Sequence, residues 1–76
     1  MEYKIIETTK CVMVHVDLPM HECIVLSDYL MATELFDVVE IRLLPKVRQH
    51  VLILDPCEID RLRDTIDHFV IVNNHS

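Results

Sequence analysis

Two segments of the chain alternate apolar and polar positions in the way that half-buried strands do, and a third is a compact apolar run. In residues 11–18, CVMVHVDL, every second side chain is Val or Leu, and the same period of two runs through residues 38–44, VVEIRLL. The apolar segment 50–54, HVLIL, follows. A period of two puts alternate side chains on opposite faces of a sheet. The pattern therefore predicts a first strand, and then a hairpin whose tip lies near residues 45–49.

Two further segments have helical spacing. Residues 20–36 contain no helix breaker after Pro19, and their apolar side chains cover a wide arc, which predicts a helix buried on more than one side. Residues 55–58 indicate the start of a second helix. Asp55 fits the N-cap, Pro56 fits the first helical position, and Glu58 completes a capping box. The apolar positions that follow at helical spacing are Ile59, Leu62, Ile66 and Phe69.

Both ends of the chain leave alternatives open. Residues 3–7, YKIIE, extend the first strand or pair with it through a turn at 8–10, so residues 1–10 are an N-terminal extension or an extra strand. Residues 69–72, FVIV, are β-branched and aromatic, and they end the second helix or form a last strand. We prefer the strand, and we expect residues 73–76 to be a frayed tail.

The resulting order is strand, helix, strand, strand, helix, strand. This βαββαβ order is that of the ferredoxin-like split βαβ fold. We therefore predict a single α+β domain over residues 1–76, with a four-stranded antiparallel sheet and two helices on one face. The opposite face of the sheet is expected to be open.

The layout resembles the heavy-metal-associated domain of copper chaperones and metal-pumping ATPases over about residues 12–72. Met20 falls where that family has the Met of its Met-x-Cys-x-x-Cys loop. The resemblance implies the same topology, and in the family two thiolates of this loop bind Cu(I). Here Glu22 and Val25 stand at the two cysteine positions, and Pro19 stands at the preceding glycine. The resemblance is thus mainly topological, because the metal-binding cysteine pair is missing.

Met20, His21 and Cys23 form an alternative set of ligands for a soft metal ion, to which His15 would add a fourth. On a helix, however, His21 and Cys23 point about 200° apart, so they converge only if the first turn unwinds. We prefer the interpretation in which Met20 and Cys23 fill the core and His21 is solvated. It assigns no cofactor to the chain.

Composition and charge exclude several classes of function. The chain of 76 residues has a net charge of -6 and no Gly, and residues 1–38 carry seven acidic but only two basic side chains. Nucleic-acid binding needs a basic footprint, and phosphate loops and dinucleotide sites need Gly. We therefore expect neither. Three Cys, no signal-peptide pattern and no long apolar run predict a reduced, cytoplasmic protein that does not enter a membrane.

Candidate chemistry for an enzyme is weak. The sequence offers no Ser-His-Asp grouping, and its carboxylates are distributed as caps and solvated charges. Cys57, predicted in the first turn of the second helix, and Cys23, near the start of the first, are candidates for a reactive thiol. We prefer to interpret both as small buried hydrophobes. The chain is therefore predicted not to be an enzyme.

Two surfaces are candidates for binding a protein partner. One is a basic hairpin with Arg42, Lys46, Arg48 and His50. The other is the open sheet face, predicted to present Met13, His15, Val38, Glu40 and Arg42, together with either Val51 and Ile53 or Leu52 and Leu54. An apolar sheet face without a covering layer marks an interface. We predict a small interaction protein (adaptor, regulator or inhibitor) that forms a homodimer through this face. The alternatives are the soft-metal domain and an acidic mimic that blocks a nucleic-acid-binding protein.

Overall fold

Four strands and two helices make up the chain in the computed structural model, which describes residues 1–33, 35–44, 46 and 49–74. The elements are, in chain order, β1 (Tyr3–Glu7), β2 (Val12–Val16), α1 (Met20–Ala32), β3 (Val38–Arg42), β4 (His50–Leu54) and α2 (Ile59–Asn74). The α+β class and the four-stranded antiparallel sheet with two helices are confirmed. Neither helix is both long and apolar enough, over its described residues, to cross a membrane.

The sheet has the strand order β1-β2-β4-β3, and every neighbouring pair is antiparallel. Since β4 is antiparallel to both β2 and β3, those two strands run in the same direction. Helix α1 connects them while β4 lies between them, which is a split βαβ unit. The sheet thus brings together segments that lie far apart in the chain.

The predicted βαββαβ order is wrong, because the observed order is ββαββα. Residues 69–72 continue α2 and do not form a last strand, and Asn73 and Asn74 belong to the helix and not to a frayed tail. A second split unit built on β4 and α2 would place its final strand beside β2. Residues Tyr3–Glu7 pair with that edge of β2 instead. The edge of β2 is therefore not free to pair with the C-terminal segment.

The hairpin between β1 and β2 turns without glycine. The Thr8 N–H donates to the Cys11 carbonyl at 2.9 Å, and the Thr8 hydroxyl accepts from the backbone N–H groups of Cys11 at 3.1 Å and Lys10 at 3.3 Å. Such side-chain bonds to the local backbone are how Thr replaces more specialised turn residues. At the other end of β1, the Tyr3 hydroxyl donates to an Asp67 carboxylate oxygen of α2 at 2.5 Å.

One face of the sheet packs against both helices. The core cluster combines inward residues of β2 and β4 with residues of α1 and α2. Its fully buried members include Val12, Val14, Val16, Leu52, Leu54, Leu26, Leu30, Leu62 and Ile66. The predicted alternation of β2 is confirmed by this burial, with its three Val on the core face.

Strand β3 contains a bulge that changes which residues face the core. Val38 pairs with Leu54 and Glu40 with Ile53, so Val39 is the additional residue. The prediction that Val38 lies on the open face is therefore wrong: it is half-buried and packs against the core. Val39 is exposed. Beyond the bulge, Ile41 faces the core and Arg42 the open side, as the alternation predicts.

Helix boundaries differ from the prediction at two points. Helix α1 begins at Met20 as predicted, but it ends at Ala32, where Thr33 forms the C-cap. Helix α2 begins at Ile59, with the Leu62 N–H donating to the Glu58 carbonyl at 3.0 Å. Asp55 therefore lies four residues before the helix and is not its N-cap. The capping-box prediction for Asp55 and Glu58 is wrong.

Candidate interaction surface

The sheet face that points away from the helices carries two rows of side chains, because residues paired across antiparallel strands share a face. We call the first the basic row: across β1, β2, β4 and β3 it consists of Lys4, His15, Val51 and Arg42. We call the second the apolar row: it consists of Ile6, Met13, Ile53 and Glu40. Together the two rows form the open face.

The centre of the open face is apolar. Ile6, Met13 and Ile53 are adjacent in the apolar row and are half-buried, while Val51 beside them is 9% exposed. Within the part of the chain that the structure describes, the core cluster includes none of these four residues. They are therefore not part of the layer that packs against the helices, and a second layer packed on them would remove further apolar surface from water.

Charged side chains flank this apolar centre. At the β3 edge, Arg42 and Glu40 form an ion pair with each other, and both side chains are largely exposed. Lys4 lies at the opposite, β1 edge and is also exposed. Protein interfaces commonly combine an apolar centre with a polar rim, and the open face has this arrangement.

The structure brings four of the sequence-predicted partner residues together. Met13, His15, Glu40 and Arg42 all lie on the open face, whereas Lys46 is exposed in the loop after β3. Arg48, the other predicted residue, lies outside the described residues. Of the two sets predicted for β4, Val51 and Ile53 face outward. Lys4 and Ile6 were missed, because the sequence left residues 1–10 without an assigned pairing.

His50 does not contribute to a basic hairpin surface, so that prediction is wrong. Its side chain is 1% exposed and faces the core, paired in register with Val16. The Leu44 N–H donates to His50 Nδ1 at 2.9 Å. A neutral imidazole that accepts at Nδ1 carries its proton on Nε2, and no protein atom among the described residues accepts from that buried nitrogen. His50 therefore fixes the backbone two residues after β3, and its buried side chain is unavailable to a partner.

The residues predicted for a soft metal ion point apart. Cys23 is fully buried in the core, whereas Met20 is 47% exposed and His21 is exposed on α1. The prediction that Met20 fills the core is wrong, and that for Cys23 is confirmed. Among the described residues, no group of three or more His, Cys, Asp and Glu side chains could hold a metal ion.

The surroundings of Cys23 and Cys57 do not activate their thiols. Burial raises the pKa of Cys23, and burial together with the negative charge of Glu7 raises the pKa of Cys57. Cys57 precedes α2, so the prediction that it lies in the first helical turn is wrong. A raised pKa lowers the fraction of reactive thiolate at neutral pH.

A concave surface lies between the helices, where the C-terminal end of α2 meets the start of α1. It encloses about 310 Å³. Apolar side chains of Val25, Phe69 and Val70 line it, and Asp17 and Glu22 add two carboxylates. It is separate from the open face, since α1 and α2 pack on the opposite side of the sheet.

Comparison with protein families, with curated proteins and with solved structures found no match to this chain.

Proposed function

We propose that this chain is a small, non-enzymatic protein–protein interaction module that binds through its open face, and that it forms a homodimer there. The observation that carries the proposal is the block of adjacent half-buried apolar residues in the apolar row, on a sheet face against which neither helix packs. An adaptor, a regulator or an inhibitor would each use such a surface, because each binds a partner protein without changing it chemically.

Energetics support a second layer on this face. Apolar surface removed from water contributes about 25 cal/mol per Å², and a domain this small gains little stability from its own core alone. The branched apolar side chains and the Met on this face have few groups that can form hydrogen bonds with water. The charged rim at both edges keeps the isolated domain dispersed and limits how a partner can align.

Two alternative functions, a soft-metal site and a reactive thiol, have less support. A soft-metal site would need Met20, His21 and Cys23 to converge, yet one is in the core and two are exposed. A nucleophilic thiol would need a lowered pKa, and the pKa of both Cys23 and Cys57 is raised. The interaction proposal requires no rearrangement of the fold.

The test is sedimentation velocity across a wide range of protein concentration, with native mass spectrometry as a second measure of mass. We expect the natural chain to shift from monomer to dimer, with no bound metal. Met13→Lys, which puts a charge in the centre of the open face, should keep the monomer at every concentration. Far-UV circular dichroism establishes that the variant is folded.

The matched control is Ile24→Lys, which adds the same charge to an apolar residue of α1 that is 42% exposed. It should leave the dimer intact, because Ile24 lies on the helical side of the molecule. A dimer lost in the Ile24 variant but kept in the Met13 variant would place the interface on the helices and overturn the proposal. A monomer carrying a tightly bound metal ion would favour the metal-binding alternative.

A further inference from the structure

The two rows of the open face restrict how a second copy can dock on it, and this inference rests on the proposed homodimer. Sheets that pack face to face belong either to an aligned class, with strands within about 30° of each other, or to an orthogonal class, with strands at about 90°; the inferred dimer belongs to the aligned class. For two identical sheets related by a two-fold axis, this leaves two directions for the axis: along the strands or across them. The charges at the edges of the sheet separate the two.

An axis along the strands lays β1 of one copy over β3 of the other. This places Lys4 against Arg42 of the second copy, and by symmetry the same contact occurs twice. It also places Ile6 against Glu40 of the second copy, so a carboxylate meets an apolar side chain. Like charges in direct opposition and a desolvated carboxylate both disfavour association.

An axis across the strands lays each strand over its own copy, and its position then decides the contacts. If the axis passes through the basic row, Arg42 faces Arg42 of the second copy. If it passes through the apolar row, Glu40 faces Glu40 of the second copy. If it passes between the rows, Arg42 of each copy faces Glu40 of the other.

We infer that the chain forms a two-fold dimer in which the axis runs across the strands and between the basic row and the apolar row. Glu40 and Arg42 already pair within each chain, so the dimer joins the two pairs into a ring of four alternating charges. Val51 faces Ile53 of the second copy, and His15 faces Met13. The aliphatic stem of Lys4 covers Ile6 of the second copy, while its ammonium group stays in water.

The size of the face indicates a reversible dimer. Five-residue strands span roughly 17 Å, and four strands at their usual spacing span roughly 19 Å. A patch of these dimensions covers roughly 320 Å² on each copy, so the pair buries less than the total of about 1,000 Å² that a stable specific interface needs, and the association is weak and transient. In such an interface the alignment of rim charges contributes a large share of the specificity.

Charge reversal tests the orientation. Glu40→Arg should face Arg42 of the second copy with like charge, and Arg42→Glu should face Glu40 in the same way. Each contact occurs twice in the dimer, so each single variant should raise the dimer dissociation constant about tenfold or more. The double variant E40R/R42E restores opposite charges at both contacts and should return the dissociation constant close to that of the natural chain.

Lys4→Glu is the control that separates the two axes. Across the strands, Lys4→Glu puts a carboxylate and a shorter stem against Ile6 of the second copy, so the dissociation constant should rise modestly and in no case fall. Along the strands, both Lys4→Glu and Arg42→Glu would create attractive pairs and tighten the dimer, and that result would overturn the inferred orientation. Unchanged association in both single variants of Glu40 and Arg42 would also overturn it.

The same measurement distinguishes a failed orientation from a failed function. If the natural chain is monomeric at every concentration, the proposed homodimer itself is wrong. If it dimerises and only the pattern among the charge variants differs, the homodimer stands and the orientation is wrong. All the substituted side chains are exposed, and each variant is checked for its fold by circular dichroism before sedimentation.

Discussion

Tyr3 connects the edge strand β1 to helix α2 through a single side-chain hydrogen bond. Its hydroxyl donates to Asp67 at 2.5 Å, between residues 64 positions apart. Burial, followed by this hydrogen bond and the negative charge of Asp67, raises the pKa of Tyr3 from 10.0 to about 12. The neutral phenol is thus the form that the folded chain stabilises.

Tyr3→Phe is predicted to lower stability at neutral pH and to flatten its alkaline dependence. The lost bond should cost about 1 kcal/mol of the free energy of unfolding. Because the pKa is raised on folding, the natural chain has this stabilisation in full below pH 10 and loses it as pH rises from 10.0 towards about 12. Urea unfolding at neutral pH and at several alkaline values measures both effects.

The variant and the natural chain should therefore converge in stability as the pH rises. In an ultraviolet titration of the phenols, the component near pH 12 should be missing from Tyr3→Phe and retained in Tyr29→Phe. Equal loss of stability with pH in the natural chain and in Tyr3→Phe would show that Tyr3 is not the titrating group.

At the scale of secondary-structure elements, the sequence predicts well those strands and helix ends that depend on local sequence patterns. The alternation in Val12–Val16 was predictable because burial of one face imposes a period of two, and the span His50–Leu54 was predictable as a short apolar run. The start of α1 at Met20 was predictable from Pro19. Each of these depends on residues within a few positions of one another.

The rest depended on contacts between distant residues. The segment 69–72 has strand-forming residues, yet it is helical in a fold where Tyr3–Glu7 holds the edge of the sheet beside β2. The bulge at Val39 adds a residue that no period reveals. His50 belongs to a residue type that is often exposed, yet it is buried in the sheet opposite Val16 of β2. Long-range pairing overrides local propensity in all three cases.

The end of α2 provides a prediction about its conformation. Ile71 and Val72 are 58% and 55% exposed in the helix, where β-branched residues are less favourable than Ala by up to roughly 0.5 kcal/mol each. The double variant I71A/V72A should therefore keep or raise the free energy of unfolding, by at most about 1 kcal/mol. Helical circular dichroism should not decrease, and urea unfolding measures the stability.

Phe69→Ala is the contrasting variant in the same segment. Phe69 is buried and its ring lies 5.5 Å from that of Tyr29, so its truncation should cost about 3–5 kcal/mol. Were residues 71 and 72 part of a strand, alanine at both positions would lower stability, because Ala is a poor strand former. A destabilised double variant would thus contradict the helical assignment.

At the scale of the whole molecule, the open face contains some residues that the sequence predicted and others that it did not. Met13, His15, Glu40 and Arg42 follow from alternation within β2 and β3. Lys4 and Ile6 required knowledge that β1 completes the sheet. The finished sheet is covered by helices on one face only, and a chain of this length is stabilised by roughly 4–11 kcal/mol in total. A contribution from the proposed self-association would therefore be large relative to the whole.

The thermal unfolding midpoint is predicted to rise with protein concentration. A partner that binds only the folded state stabilises it by mass action, and in a domain of this size 1 kcal/mol corresponds to about 4–8 °C in the midpoint. Calorimetry over a hundredfold range that spans the dimer dissociation constant should show a rise of several degrees. Ile24→Lys should show the same rise, whereas Met13→Lys should unfold at one midpoint throughout. A midpoint that stays constant in the natural chain would show that the open face contributes nothing to stability by association.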